Sequence, residues 1–128
     1  MLWLELVTLA ALAQYLSFGA LVGRARERHG VKAPAVTGHE QFERAYRVQM
    51  NTLELLVAFI PALWLAARHW SPEGMAAFGA IYVIGRFVYA HAYVQAPATR
   101  GIGFLLSIAP IGILIVAATV GAVSHHGL

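Results

Sequence analysis

Apolar residues fill four long stretches of the chain, separated by short polar or Gly/Pro-containing connections. A helix needs about 20 predominantly apolar residues to cross the hydrocarbon core of a bilayer. Stretches of that length occur at about residues 2–23, 40–67, 74–94 and 102–123, and they predict four membrane-spanning helices. The apolar part of the second begins only at Leu53, so its first turns, from Glu40 to Met50, are amphipathic and are expected to project from the membrane.

The connections carry the punctuation that such helices need. Residues 24–38 hold Arg24, Arg26, Arg28 and Lys32 with Gly30 and Pro34, and read as a partly ordered loop. It ends in Thr37-Gly38-His39-Glu40, the spacing of a capping box in which Thr37 caps the helix and Glu40 reaches back. In Ser71-Pro72-Glu73-Gly74, Ser71 suits an N-cap and Pro72 the first helical position, so the second and third helices are antiparallel neighbours. Pro97 and Arg100-Gly101 break the chain before the last helix. Pro61 and Pro110 fall inside helices and should kink them, which membrane bundles tolerate.

Composition sharpens this picture. Of 128 residues, 59% are hydrophobic and only 12% charged, against about 25% charged in a soluble domain. The expected fold is therefore an all-α integral membrane protein, a four-transmembrane-helix bundle forming one domain over residues 1–128. A net charge of +3 is too sparse to make a nucleic-acid binder of it, and every acidic residue is a glutamate. The absence of cysteine removes disulfides and thiolate chemistry of the protein's own, so any thiol must be brought in. The first apolar stretch has no basic segment ahead of it and no small-residue cleavage site behind it, and reads as a retained helix. Basic residues favour cytoplasmic loops. Arg24, Arg26, Arg28, Lys32, Arg44, Arg47 and Arg100 cluster on one side and only Arg68 on the other, so both termini are expected on the non-cytoplasmic side.

Charges inside spanning helices mark function by default, because each costs at least ~2.5 kcal/mol at the bilayer centre. Arg47, Asn51 and Glu54 are spaced i, i+4, i+7, within about 60° of arc on one face of the second helix. Gln49 is rotated about 200° from Arg47 and faces the other way. If both faces serve one ligand, the site lies between subunits. Arg86, Tyr89 and Tyr93 share a face of the third helix, and Arg100 follows just past its end. The plainer reading is structural: Arg47 or Arg86 neutralises Glu54, and the tyrosines are interfacial aromatics. Several cations, a carboxylate, two amides and two phenols near one boundary exceed what a structural ion pair requires.

These residues carry a resemblance. The run from Phe42 to Glu54 (FERAYRVQMNTLE), followed by Pro61 and Leu63-Trp64, resembles the MAPEG superfamily of membrane-associated proteins in eicosanoid and glutathione metabolism. Gly85-Arg86-Phe87-Val88-Tyr89 through Tyr93, Pro97 and Arg100 is similar to the same family in order and spacing, and the resemblance covers nearly the whole chain. It implies a homotrimer of four-helix subunits, with glutathione bound between neighbours near the cytoplasmic side. Arg47, Asn51, Glu54, Tyr89 and Tyr93 would line the site from one subunit, with Arg86 on the same face of the third helix, and Arg26 and Gln49 from the next. Arg100 would activate the glutathione thiol, and the second substrate would be a lipophilic small molecule arriving through membrane lipid.

The chemistry fits independently. Glutathione has two carboxylates, one ammonium and one thiol. Arg26 and Arg47 offer planar forks that bind carboxylates bidentately, Glu54 suits the ammonium, and the Arg100 guanidinium favours the reactive thiolate. The expected activity is conjugation of glutathione to a lipophilic electrophile, with peroxidase action as a variant. Two departures, Glu27 after Arg26 and Leu55 after Glu54, replace an arginine and a tyrosine of the eicosanoid-forming members and speak against that chemistry. Compact loops and minimal length are similar to a bacterial member, placing the chain in a bacterial inner membrane.

Two alternatives stand beside this reading. A non-catalytic lipid-binding member of the family would not need Arg47, Glu54 and Arg100 together. A small proton-coupled exporter would use Glu54, which neighbouring arginines make hard to protonate. Gly19 and Gly23 form a small-xxx-small pair suited to helix packing, and Trp3, Trp64, Trp70, His69 and His91 read as interface or packing residues. His125 and His126 have no further ligands near them in sequence for a metal site.

Overall fold

The computed structural model describes residues 1–126, and within them the chain forms four long helices and one 3-10 turn. They are α1 (Leu2–His29), α2 (Glu40–His69), α3 (Pro72–Gln95) and α4 (Gly101–His125), with the 3-10 turn at Pro97–Thr99 between α3 and α4. All four are long and apolar enough to cross a membrane. The lateral surface is correspondingly apolar: Leu16, Val57, Val116 and Ile102 are among the most exposed side chains, at 62–72%. Side chains of this size stay exposed at low cost only where lipid replaces water.

The helix boundaries correct two sequence expectations. α1 does not end near residue 23 but continues through Arg24, Arg26 and Arg28 to His29. Gly30 then stops it in the left-handed conformation (φ 69°), its N–H bonded to the Arg26 carbonyl. Cations in the last turn are favoured there by the helix dipole, so the charges that read as loop belong to the helix. The cap of α2 is shifted as well. His39, rather than Thr37, is the N-cap, its Nδ1 accepting from Gln41 N–H, and it is Glu43 rather than Glu40 that reaches back, to Gly38 N–H at 3.1 Å. Before α3 the expectation holds: Ser71 Oγ accepts from Gly74 N–H at 3.2 Å and Pro72 opens the helix. Pro61 and Pro110 lie inside helices that continue through them.

The core runs along the bundle axis. Leu4, Leu63 and Leu114 are fully buried, and the Phe59 and Tyr82 rings stack at 3.9 Å. Trp64 donates its indole N–H to Thr8, and Trp70, an exposed side chain, donates to the Ala117 carbonyl. α3 and α4 touch backbone to backbone. A Cβ on Gly85 would come within 2.7 Å of the Leu106 carbonyl carbon, and one on Gly103 would collide with the Tyr89 backbone. This approach sets the register of the polar cluster described next.

Candidate functional site

Arg86 is the centre of that cluster. One residue beyond Gly85, it is completely buried. Its Nε donates to Ser107 Oγ at 2.9 Å, and one terminal nitrogen donates to Asn51 Oδ1 at 2.7 Å and to Thr52 Oγ1 at 3.2 Å. Thr52 and Ser107 can accept because their own hydroxyls donate to carbonyls one turn back, at Val48 and Gly103. The guanidinium also lies over the Tyr89 ring, 4.3 Å from its centroid, a cation–π contact. Its second terminal nitrogen has no partner among the described residues. Arg86 therefore ties α2, α3 and α4 together, and it does so without a carboxylate.

The neutralising pairs considered from sequence do not form. Among the described residues the ion pairs join Arg44 to Glu40 and the N-terminus to Glu73, and neither Arg47 nor Arg86 reaches Glu54. Arg47 and Glu54 are both exposed on α2. Arg44 is better used than its place in a basic segment implied: it donates to the carbonyls of Val94 and Gln95, covering the C-terminus of α3.

Around Arg86 the structure collects most of the residues singled out from sequence. Asn51 is held by it directly, and the Tyr89 and Tyr93 rings stack at 5.5 Å. Arg47 and Arg100 lie within electrostatic range of the Tyr89 phenol. Arg100 sits at the N-cap position of α4, where its side chain donates to the Pro97 carbonyl at 2.9 Å and is fixed beside the 3-10 turn.

Arg26 and Gln49 are not part of this group. Arg26 lies over the Phe42 ring, 4.6 Å from its centroid, and donates to the Ala35 carbonyl. Gln49 packs on Gly19 so closely that a Cβ there would lie 2.8 Å from its amide nitrogen. Phe42 and Gln49 are seven residues apart and share the face of α2 turned to α1, opposite Arg47. Gly19 thus does serve packing, whereas nothing lies within 4 Å of a Cβ on Gly23.

Thr52 and Ser107 were not singled out from sequence. Thr52 adjoins Asn51, and Ser107 is a lone hydroxyl in the first half of the very apolar α4. A buried hydroxyl in such a helix needs a partner, and that was the available signal.

These features define an integral membrane four-helix protein with a polar, cation-rich cluster built at one end of its bundle. The chain belongs to the MAPEG family, whose model matches residues 4–120. It is 47% identical over 118 residues to an uncharacterized protein of Synechocystis sp., covering 92% of this chain and 86% of that one. It is 38% identical over 122 residues to microsomal glutathione S-transferase 2 of Mus musculus, covering 95% and 83%. With leukotriene C4 synthase of Cavia porcellus the identity is 32% over 122 residues, covering 95% and 81%.

Proposed function

We propose that this protein is a membrane-bound glutathione transferase, working as a homotrimer, that joins the glutathione sulfur to a lipophilic electrophile. The observation that carries the reading is the state of Arg47 and Glu54. Both are exposed on α2, Arg47 on its amphipathic first turns and Glu54 where the apolar part begins, and neither has an ion-pair partner among the described residues. An arginine and a glutamate left unpaired on one face at the membrane boundary offer opposite charges to a zwitterionic ligand. Glutathione matches them, its carboxylates meeting arginine and its ammonium meeting Glu54. Two relatives carrying glutathione transferase or leukotriene C4 synthase names support the choice of cosubstrate.

In the proposed site Arg47, Asn51, Glu54, Tyr89 and Tyr93 come from one subunit, and Arg26 and Gln49 from the adjacent one. Arg86 acts through Asn51 and Tyr89, which it positions. Arg100 stabilises the thiolate. A free thiol has a pKa near 8.5, and each unit of lowering reflects about 1.4 kcal/mol of preference for the anion. The thiol proton leaves to water, and the sulfur pair then forms the C–S bond while the electrophile's leaving group departs or its π bond takes up the electrons. The basic end of the bundle faces the cytoplasm, with both termini on the other side.

The test is Arg100→Ala in purified protein. Calorimetry with glutathione should show binding retained, while conjugation of a lipophilic electrophile falls by about a hundredfold, the scale of a lost electrostatic stabiliser. Unchanged turnover would remove Arg100 from the mechanism, and no heat from glutathione with the parent protein would overturn the function.

A further inference from the structure

Away from the Arg47–Glu54 face, α1, α2 and α3 separate at the basic end and leave a groove of about 1100 Å³. Three helical stripes line it, and each contributes an alanine: Ala25, Ala45 and Ala90. These small side chains leave the space open. The inner end is apolar, with Phe18, Leu21, Val48 and Phe87, and the edge-to-face contact of Phe18 with Phe87, centroids 6.1 Å apart, joins α1 to α3 there. The outer part is basic. Arg24 and Arg28 lie one turn apart on α1, with His29 beside them and His91 on α3; Glu27 is the carboxylate among them. Neither arginine forms an ion pair among the described residues.

We propose that this groove is a binding site for an anionic phospholipid of the leaflet at the basic end of the bundle. The polarity gradient matches such a molecule along its length. An acyl chain lies against Phe18, Leu21 and Phe87, and the phosphate sits between Arg24 and Arg28, whose exposed guanidiniums suit its planar bidentate recognition. Basic pockets between membrane helices are suited to anionic headgroups, and each cation near the surface adds to the attraction. Two arginines against one carboxylate leave the groove with a net positive charge, which draws an anionic headgroup more strongly than a zwitterionic one. The site is separate from the proposed glutathione site, and its occupancy does not depend on that function.

The experiment uses full-length Phe87→Trp in vesicles containing either brominated phosphatidylglycerol or brominated phosphatidylcholine, with the parent protein's own tryptophan signal subtracted. Bromine quenching of the indole at position 87 should be stronger with phosphatidylglycerol. Adding Arg24→Gln and Arg28→Gln should cut that preference on the order of tenfold, whereas Arg24→Lys with Arg28→Lys, which keeps the charge and loses the bidentate fork, should keep only the part that charge supplies. Equal quenching by the two lipids, or a preference that survives the glutamine changes, overturns the proposal. Protection from both lipids overturns it too, because the groove is then covered by a second copy of the chain.

Discussion

Among single residues, Arg86 shows most clearly how the cluster is held. A buried guanidinium normally needs a carboxylate, yet here amide and hydroxyl oxygens hold Nε and one terminal nitrogen and an aromatic face lies against the group, with the other terminal nitrogen unpartnered among the described residues. Ser107→Ala leaves Arg86 Nε buried without an acceptor, and an unsatisfied buried donor costs about 1–3 kcal/mol. Thermal unfolding in detergent should therefore show a clear loss of stability, while Thr119→Ala, an exposed hydroxyl bonded only to its own helix, should change little. A Ser107→Ala protein as stable as the parent would mean that Arg86 draws its stability elsewhere. Sequence spacing placed Arg86, Tyr89 and Tyr93 on one face, but not the choice between ligand and scaffold for Arg86. That choice turns on Ser107, 21 residues away, and no local pattern links the two.

At the scale of elements, what was legible were the four apolar runs and the Ser71-Pro72 start of α3, because a bilayer sets a length and a polarity that local composition must obey. The end of α1 was not legible, since Arg24, Arg26 and Arg28 suit a loop as well as a helix end, and only the left-handed Gly30 decides between them. The α2 cap moved two residues because a histidine nitrogen accepted the first-turn N–H. Close contact of α3 with α4 depends on residues without side chains. Gly103→Ala puts a Cβ into the Tyr89 backbone, so α4 must move away; overpacking of this kind costs about 1–3 kcal/mol. It should also shift Arg100, and with it turnover. Gly112→Ala is the internal control: nothing lies within 4 Å of its Cβ, and it should be neutral or stabilise by up to about 1 kcal/mol. Equal unfolding temperatures for the two variants would show that the α3–α4 approach is not tight.

For the whole molecule, the decisive geometry is that α2 carries functional candidates on opposite faces. Arg47, Asn51 and Glu54 point one way, while Gln49, with Phe42 and the Arg26 above it, points toward α1. The chain does not bring Arg26 and Gln49 to the Arg86 cluster, which is what the spacing of Arg47 and Gln49 required. A site shared between subunits makes a quantitative prediction. Arg100→Ala spoils the front face of every site its chain supplies, and Arg26→Ala with Gln49→Ala spoils the back face, so each protein alone should be nearly inactive. When the two are co-expressed in equal amounts and assemble at random, about three quarters of cyclic trimers contain both chains, and each of those has one interface with an intact front meeting an intact back. About a quarter of parental activity should return, since one site in three is restored in those trimers. Recovery near that level places the reaction at a seam between subunits. If the mixture stays as inactive as its parts, both faces serve one chain, and Gln49 and Arg26 have no place in the neighbour's site.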